Sequence, residues 1–493
     1  MTKIPQTDLP EVFLTNAKSA DRIYRLKQQG LVRQITGKLY TSNIQDSIED
    51  ITSRRYWEII GLLFPNAVIA DRSAMELRPT KNGEIFIISD KATRPVFFGK
   101  YAIYPRKGVT ALTDDAPFMG KLFLMSEPRK FLENMRNTRT GKASVSRYLT
   151  SAEMEERLDT YIRHYGEDAV NNLRDKMQEL KKPLGLEKEF AKFNHLVSGL
   201  LGTKKVKFNV PAAQARSKGN PFDPDRVVLF AKLYEELASY APSFRKTENN
   251  MGKILCFYES YFSNYIEGTT FTIDEASEII FEHKIPEKRP DDAHDITGTY
   301  DIVSSTIEMK KTPRTFDEFI DLLKSRHKKI MLARQNKNPG VFKDKANQAG
   351  MTLFVKPDLI VGTLKEGFNF YQRLDTPFKK AAFMMFMITE AHPFTDGNGR
   401  ISRIMMNAEL VAGGEQRIII PTVYRDNYLE ALRALSRNKI TDSYVKMMDF
   451  AQKYTNMIDW SNLQTATDML TRTNAFSEDT NQTLRLPLTT ARL

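Results

Sequence analysis

The sequence predicts a mainly α-helical protein with an N-terminal winged helix-turn-helix unit, a small α/β domain and an all-α C-terminal domain that carries a β-hairpin. The chain has 493 residues, which corresponds to about three domains. Short apolar runs bounded by Gly, Pro and Lys predict strands near the N-terminus, whereas helical spacing of apolar residues dominates residues 225–454. The composition, 41% hydrophobic and 27% charged, excludes collagen-like, coiled-coil and wholly disordered chains.

The cysteine content and the apolar runs indicate where the protein resides. Cys256 is the only cysteine, which excludes an intrachain disulfide and a multi-cysteine zinc site. The N-terminal residues lack the apolar segment of a secretory signal, and no run approaches the 18 apolar residues of a membrane span. We therefore expect a cytoplasmic protein with no membrane partner.

The net charge is unevenly distributed along the chain. Lys and Arg outnumber Asp and Glu by 37 to 25 over residues 1–220, whereas the two counts are equal, 33 and 33, over residues 221–460. The whole formal charge of +12 thus falls in the front of the chain. This asymmetry is typical of a nucleic-acid-binding region joined to a neutral domain. A well-solvated basic surface is the alternative interpretation.

The first 60 residues carry the pattern of a winged helix. A short helix is predicted from Ser19 to Leu26, ended by Gly30, and a hairpin follows from Leu31 to Thr41 with its turn at Gly37. Double-stranded DNA is the partner that a basic winged unit suggests. The candidate DNA-binding residues are Arg22, Arg25, Lys27, Arg33 and Lys38.

Turn residues and changes of pattern divide the rest of the chain. A helix over residues 51–63 and strands over residues 84–88, 95–98 and 101–104 predict a mixed domain, which turns helical from Arg129. We expect a winged-helix-like unit over residues 1–60, a mixed and helical region over 61–200, a linker over 201–224, a helical domain over 225–460 and a polar, loosely ordered tail over 461–493.

Residues 380–412 predict two helices joined by a glycine-rich loop. The first helix is apolar on all sides, which predicts complete burial, and it should end near His392 because Pro393 disfavours helical geometry in the preceding residue. The loop over residues 394–399 contains Gly397 and Gly399, which permit positive φ and leave backbone N–H groups accessible. A second helix starts near Arg400.

The second helix places positive charge where a helix dipole is already positive. Arg400, Arg403 and Asn407 recur on one face, with both arginines in the first turn. A bound polyphosphate would explain this arrangement. Asp396 is then a candidate Mg²⁺ ligand, and His392 a group able to accept a proton near neutral pH. The alternative is a capped loop with a buried core histidine.

The twelve residues from His392 to Arg403, HPFTDGNGRISR, resemble the Fic family motif HxFx(D/E)GNGRxxR at every defining position. The resemblance extends over roughly residues 225–455 and includes the segment from Pro421 to Tyr428. A second resemblance, to AbiEi-type antitoxins with a winged helix and an appended domain, covers about residues 15–150. It rests on the hairpin residues 30–40 and on residues 62–65 and 70–74.

The Fic resemblance implies a protein adenylyltransferase, which transfers AMP from ATP to a Tyr, Thr or Ser hydroxyl of a target protein; other nucleotide donors stay open. His392 would be the general base, Asp396 would hold Mg²⁺, and a hairpin flap over residues 343–352 would align the target. Arg400 would bind the β-phosphate and Arg403 the γ-phosphate. The nucleotide site would comprise Gly397, Asn398, Gly399, Arg400, Ser402, Arg403, Asn407 and Tyr428, with Pro393 and Phe394 in structural roles.

The residues from Ser263 to Gly268 resemble the inhibitory motif [S/T]xxxE[G/N] of the same family. This resemblance implies that Glu267 pairs with Arg403, restrains AMP transfer and is able to position a water for the removal of AMP. The alternative function is a DNA-binding regulator or antitoxin-like protein with a secondary Fic activity. A homodimer is a further partner that we leave open.

Overall fold

The structure is a computed structural model, which describes residues 8–90, 94–137, 143–247 and 252–487. The chain divides into two compact units, Met1–Gly219 and Asn220–Leu493. The division falls within residues 201–224, the segment that the sequence predicts to be a linker. No helix in the described ranges is both long enough and apolar enough to cross a membrane.

The first unit combines short strands with helices. In chain order its elements are β1 (Val12–Leu14), α1 (Ala20–Gln28), β2 (Arg33–Thr36), β3 (Leu39–Thr41), α2 (Ile48–Leu63), β4 (Val68–Ile69), α3 (Asp71–Glu76), β5 (Glu84–Ile88), β6 (Val96–Phe98), β7 (Tyr101–Arg106), β8 (Ala116–Phe118), β9 (Leu122–Leu124), α4 (Glu127–Asn134), α5 (Ser151–Tyr165), α6 (Glu167–Leu184), α7 (Glu187–Leu200) and α8 (Pro211–Ser217).

Two sheets organise the front of this unit. The predicted hairpin is β2 and β3, which pair antiparallel and continue into β1 in the order β1-β3-β2. A six-stranded sheet has the order β6-β7-β5-β4-β9-β8, with parallel pairs β5/β7 and β4/β9. Leu39 of the hairpin and Ile85 of the larger sheet belong to one buried cluster. The predicted boundary near residue 60 therefore does not separate two cores.

Helices α4 to α8 form the rest of the unit around a second buried cluster. Ala213 of α8 is fully buried in it, and Asn209, just before α8, donates its backbone N–H to Glu155 of α5 at 2.7 Å. The expected linker is thus in part wrong, because small residues of α8 fit closely between neighbouring helices. The boundary between the units falls between Gly219 and Asn220.

In its described residues, the second unit consists of helices, one hairpin and an isolated β-bridge between Lys246 and Glu415. Its elements are α9 (Pro224–Ser239), α10 (Lys253–Ile266), α11 (Ile273–Phe281), α12 (Pro290–Val303), α13 (Thr306–Met309), α14 (Phe316–Ile330), β10 (Gln348–Ala349), β11 (Thr352–Leu353), α15 (Ile360–Tyr371), α16 (Pro377–Ala391), α17 (Asn398–Ala412), α18 (Arg425–Asn438), α19 (Asp442–Met457) and α20 (Leu463–Arg472), with short 3-10 helices at Gln335–Lys337, Pro357–Leu359 and Thr422–Tyr424.

Helices α16 and α17 form the centre of this unit. Every residue from Ala381 to Ile388 is fully buried, which confirms the prediction of a helix without a solvent face. α16 ends at Ala391, immediately before His392 and Pro393, and α17 begins at Asn398 after Gly397. The predicted hairpin is the β10/β11 pair.

The prediction of a loosely ordered tail over residues 461–493 is wrong for the described residues up to 487. Helix α20 occupies part of it, and Leu470, Ala475 and Leu484 are buried in one cluster with residues of α10. Tyr258 of α10 forms a 2.6 Å hydrogen bond with Thr467 of α20. The sequence did not predict this packing, because the segment is rich in threonine and its apolar residues contact residues of α10 that lie far away along the chain.

Candidate active site

The loop between α16 and α17 is closed by its own side chains. His392 has φ of 48° and Gly397 has φ of 73°, both in the left-handed region. The Asn398 amide accepts the backbone N–H of Phe394 and donates to the Phe394 carbonyl, each at 2.9 Å. The side chain of Asn398 therefore shapes the loop, in addition to the backbone N–H expected of it.

His392 is held as a neutral imidazole with one nitrogen left for chemistry. Its Nδ1 lies 3.3 Å from the Thr389 carbonyl, so Nδ1 carries the proton and donates it. Burial lowers the pKa of His392 to about 4, and the charge of Lys343 acts in the same direction. Nε2 has no hydrogen-bond partner among the described residues and is free to accept a proton.

The hairpin covers the face of His392. Phe354 directly follows β11 and stacks on the imidazole, with 3.7 Å between ring centroids and 8° between planes. Asn347 donates its side-chain N–H to the Phe394 carbonyl at 3.1 Å, and Lys343 donates its backbone N–H to the Pro393 carbonyl at 2.9 Å. The predicted flap is therefore tied to the motif loop on both sides of its turn.

A second histidine supports the loop from the other side. His327 of α14 stacks on Phe394, with 3.6 Å between ring centroids and 3° between planes. Its Nδ1 accepts the Gly340 N–H, so its Nε2 donates to the Asp396 carbonyl, both at 2.9 Å. Burial lowers the pKa of His327 to about 4. Sequence reasoning missed His327 and Phe354, because neither belongs to a spaced motif.

Asp396 is the one acidic side chain of the loop. Its Oδ1 accepts the Gly397 N–H at 2.7 Å, and the side chain is half-buried. Within the described ranges, no group of three or more His, Cys, Asp or Glu residues is placed to hold a metal ion. A single carboxylate fits Mg²⁺ only when substrate phosphates and waters supply the other ligands.

Arg400 presents buried cationic donors close to the loop. The residue is 3% exposed, and Nη1 lies 2.5 Å from Asp295 Oδ2 of α12. Asp295 Oδ2 accepts a hydrogen bond from Arg334 Nε at 2.8 Å, whereas Arg400 Nε and Nη1 lack a hydrogen-bond partner among the described residues. A buried guanidinium with an unmatched N–H is suited to bind an anion. Asp295 gave no signal in the sequence.

Arg403 forms the ion pair expected from the sequence. Its Nη2 lies 2.7 Å from Glu267 Oε1, and Nε donates to Ser263 Oγ at 3.0 Å. A Cβ placed on Gly399 would lie only 2.1 Å from Glu267 Oε1, so the carboxylate rests against the first turn of α17. Glu267 is thus paired with the guanidinium group of Arg403, which the resemblance assigns to the binding of a phosphate.

Three expected nucleotide ligands have other partners. Asn407 is fully buried, donates to Glu259 at 2.8 Å and exchanges two hydrogen bonds with the backbone of Ile418. Its assignment to the nucleotide is wrong, because its amide is fully used inside the core. Ser402 is buried and donates to the Gly399 carbonyl at 2.8 Å, and the Tyr428 hydroxyl lies 3.5 Å from Arg403 Nη1. Both support neighbouring groups of the site.

The candidate DNA-binding residues lie on α1 and on the β2/β3 hairpin. Arg22, Arg25, Lys27 and Lys38 are exposed. Arg33 is different, because it is half-buried and its guanidinium donates to the carbonyls of Asn43 and Asp46. Arg33 therefore fixes the segment after β3. The other four predicted DNA-binding residues do not have that structural role.

Comparison with known proteins places the loop in a family. A profile of the Fic/DOC family matches residues 316–410, a shorter range than the 225–455 expected from the sequence. "Protein adenylyltransferase Fic" of Nematostella vectensis is 26% identical over 196 residues, which are 37% of this chain and 44% of that protein. Its namesake in Drosophila mojavensis is 24% identical over 213 residues, 42% of this chain and 41% of that protein.

The chain spans less than half the length of these two adenylyltransferases. The solved structure of Fic-1 (residues 134–508) from C. elegans is 15% identical in sequence; the match covers 64% of this chain and 96% of that chain, with a TM-score of 0.35. A Fido domain-containing protein of Dictyostelium discoideum is 32% identical over 103 residues, which are 20% of this chain and 72% of that protein. Through this C-terminal region, the chain belongs to the Fic/DOC family.

Proposed function

We propose that the protein is an adenylyltransferase that transfers AMP from ATP to a hydroxyl group of a target protein. The observation that carries the proposal is the meeting of a neutral His392, whose Nε2 is free, with the buried cationic donors of Arg400 at one short loop. The names of the relatives in Nematostella and Drosophila support the same activity.

Each group of the loop has a chemical task in this reaction. The target hydroxyl oxygen attacks the α-phosphorus of ATP, and His392 Nε2 accepts the hydroxyl proton. The bond between the α-phosphorus and the bridging oxygen breaks, and pyrophosphate leaves. Arg400 and the backbone N–H groups of Gly397 and Gly399 offset the negative charge of the phosphates. Mg²⁺, held by Asp396 and the phosphates, would supply further positive charge.

We also propose that Glu267 restrains this activity. Arg403 is the group expected to bind the γ-phosphate, and Glu267 forms a 2.7 Å ion pair with it. A γ-phosphate and a carboxylate repel each other, so ATP bound beside Glu267 is displaced from the pose needed for in-line attack. We further propose that Glu267, whose side chain is 28% exposed, activates a water that removes AMP from modified targets.

The experiment incubates the full chain with Mg²⁺ and ATP labelled on the α-phosphate, in the presence of a cell lysate. We expect Glu267→Gly to label itself or lysate proteins more strongly than the wild type does. Adding His392→Ala should abolish labelling and leave ATP binding nearly intact, because the phosphate contacts come from arginine and backbone. Labelling that survives His392→Ala, or none by Glu267→Gly, would overturn the proposal.

The same assay defines the donor and the acceptor. Unlabelled UTP and GTP in excess should not reduce the labelling if ATP is the donor. Mass spectrometry of the labelled proteins should find AMP on a Tyr, Thr or Ser side chain.

A second candidate function, binding of double-stranded DNA, is favoured by the exposed cations of α1 and the hairpin. It concerns the first unit and is compatible with AMP transfer by the second. If the protein is a DNA-binding regulator in which the Fic activity is secondary, regulation should require the exposed cations and should not require His392.

A further inference from the structure

Phe354 makes the closest ring contact to His392 within the described part of the chain. The two rings are 3.7 Å apart between centroids and 8° from parallel, and the phenyl ring is contributed by the residue that follows β11. Among the described residues, the imidazole makes one hydrogen bond, the long one from Nδ1 to the Thr389 carbonyl at 3.3 Å. A single hydrogen bond leaves a ring free to tilt, whereas a flat neighbour restricts the tilt.

The position of Phe354 is itself determined by the surrounding structure. Its backbone N–H donates to the Asn347 carbonyl at 3.2 Å, and Lys343 Nζ lies 5.9 Å from the phenyl centroid. Thr352, two residues before Phe354 on the same side of the turn, accepts a hydrogen bond from Arg437 of α18 at 2.9 Å. The hairpin and α18 therefore hold the phenyl ring in place.

Charged groups face His392 from three directions. Lys343 on the hairpin side lowers the pKa of His392, whereas Glu267 after α10 and Asp396 in the loop raise it. The lowering of the pKa of His392 by burial is larger than the effect of these three charges. The phenyl ring of Phe354 covers one face of the imidazole. Phe354 thus keeps water from that face.

We infer that Phe354 is a positioning residue for His392, whose ring fixes the plane of the imidazole and thereby the direction in which Nε2 accepts the proton of the target hydroxyl. The inference rests on the proposed function, since the plane of the ring matters to catalysis only if His392 is the base. Misplacement of a reacting group by about 1 Å can lower a rate by up to about 100-fold.

The experiment uses the full chain with Glu267→Gly, so that transfer is measurable. Phe354→Leu removes the flat face, Phe354→Tyr restores an aromatic ring, and Phe370→Leu is the matched control. Phe370 is a partly buried phenylalanine on α15 that packs against Phe383 and does not contact His392. We expect Phe354→Leu to lower kcat by about 10-fold to 100-fold with the KM for ATP unchanged. Phe354→Tyr should restore most of the rate.

A second readout does not depend on activity. In protein with ¹³C-labelled histidine, the Cε1–H signal of His392, assigned with His392→Ala, should be shifted upfield by the stacked phenyl ring. Phe354→Leu should move this signal downfield and raise the pKa obtained from its titration, because water then reaches the imidazole. The signal of His327 should stay in place, which shows that the variant is folded.

The outcomes separate the inference from the proposed function. An inactive Glu267→Gly protein overturns the proposed function, while the histidine signals still decide whether the stack exists. An active Glu267→Gly protein in which Phe354→Leu keeps its kcat, or changes only the KM for ATP, overturns the positioning role. An unshifted His392 signal in the wild type also overturns it.

Discussion

His392 is held in an uncommon backbone conformation. Its φ of 48° is in the left-handed region, which costs a residue other than glycine roughly 1 kcal/mol. The conformation ends α16, since the His392 N–H still bonds to the Ile388 carbonyl at 2.9 Å while Pro393 continues in another direction. The cost is offset by the burial of Pro393 and Phe394, which anchor the loop.

Arg403 offers a residue-scale test of the restraint. In the Glu267→Gly background, Arg403→Ala should lower AMP transfer by about 100-fold, because a charged donor to a phosphate is then lost. Rates of transfer at saturating and limiting ATP provide the measurement. Lys81, an exposed residue of the first unit, supplies the control Lys81→Ala, which should not change the rate. Equal rates with and without Arg403 would contradict its role.

His327, which is fully buried, and His392, which is half-buried, make the second unit sensitive to acid. Burial lowers the pKa of His327 and His392 to about 4, whereas an unfolded histidine titrates near 6.5. The unfolded chain therefore takes up protons first, so stability is full above about pH 6.5 and is lost as the pH falls from there toward about 4. Each histidine is expected to account for up to about 3 kcal/mol of this loss in the free energy of unfolding.

The measurement is urea unfolding followed by the fluorescence of Trp460, one of only two tryptophans, in a Trp57→Phe background. We expect the urea concentration at the midpoint of unfolding to decrease as the pH is lowered from about 7 to about 5. His327→Gln, whose amide is able to replace both hydrogen bonds of the imidazole, should reduce the fall by about half. A midpoint independent of pH would show that these histidines do not stay neutral in the folded protein.

At the scale of elements, α10 lies between α17 and the C-terminal segment, defined here as residues 463–487. Arg403 of α17 bonds to Ser263 and Glu267 at one side of α10, and Phe476 packs against Tyr258 and Phe262 at another. Tyr265 donates to Glu478 at 2.6 Å. The helix that leads to Glu267 therefore depends on contacts with residues more than two hundred positions later.

Phe476→Ala tests the contribution of that segment to stability. Removal of a partly buried phenyl ring should lower the free energy of unfolding of the second unit by about 2 to 3 kcal/mol. Trp460 fluorescence during urea unfolding measures it. Phe244→Ala is the matched control, because Phe244 is 65% exposed and its removal should change little. Similar effects of the two substitutions would mean that the C-terminal segment does not stabilise α10.

The elements that sequence reasoning predicted well are those with strong local signals. Pro393 fixed the end of α16, the apolar run fixed its burial, and the turn at Gly37 fixed the β2/β3 hairpin. The Glu267–Arg403 pair was predictable because the resemblance to the Fic family implies that the glutamate of one motif pairs with the second arginine of the other.

What the sequence could not predict depends on tertiary packing. Asp295, His327 and Phe354 reach the site from elements far apart along the chain, and none stands in a spaced motif. Asn407 has the helical spacing of a site residue, but α17 is covered on that side by Glu259 and Ile418. Helical spacing shows which residues share a face, and packing decides what that face contacts.

At the scale of the whole molecule, the excess of positive charge lies in the first unit. If α1 and its hairpin bind duplex DNA, affinity should fall with salt with a log–log slope of about 0.9 for each phosphate neutralised. Arg22→Gln combined with Arg25→Gln should reduce that slope by about 2, whereas Lys81→Gln should not alter it. Fluorescence anisotropy with a random duplex measures both. Absence of binding at low salt would contradict the DNA-binding prediction and would favour a role of the first unit in protein contacts.

Synthesis of the chain leaves one face of α10 uncovered until late. Thr467 follows Tyr258 by 209 residues, and Glu478 follows Tyr265 by 213. At about 5 to 20 residues per second, a ribosome needs about ten seconds or longer to add them. During that interval Tyr258 and Phe262 lack their aromatic neighbour Phe476. The aromatic face of α10 that the folded protein buries therefore has no cover from the C-terminal segment until synthesis is almost complete.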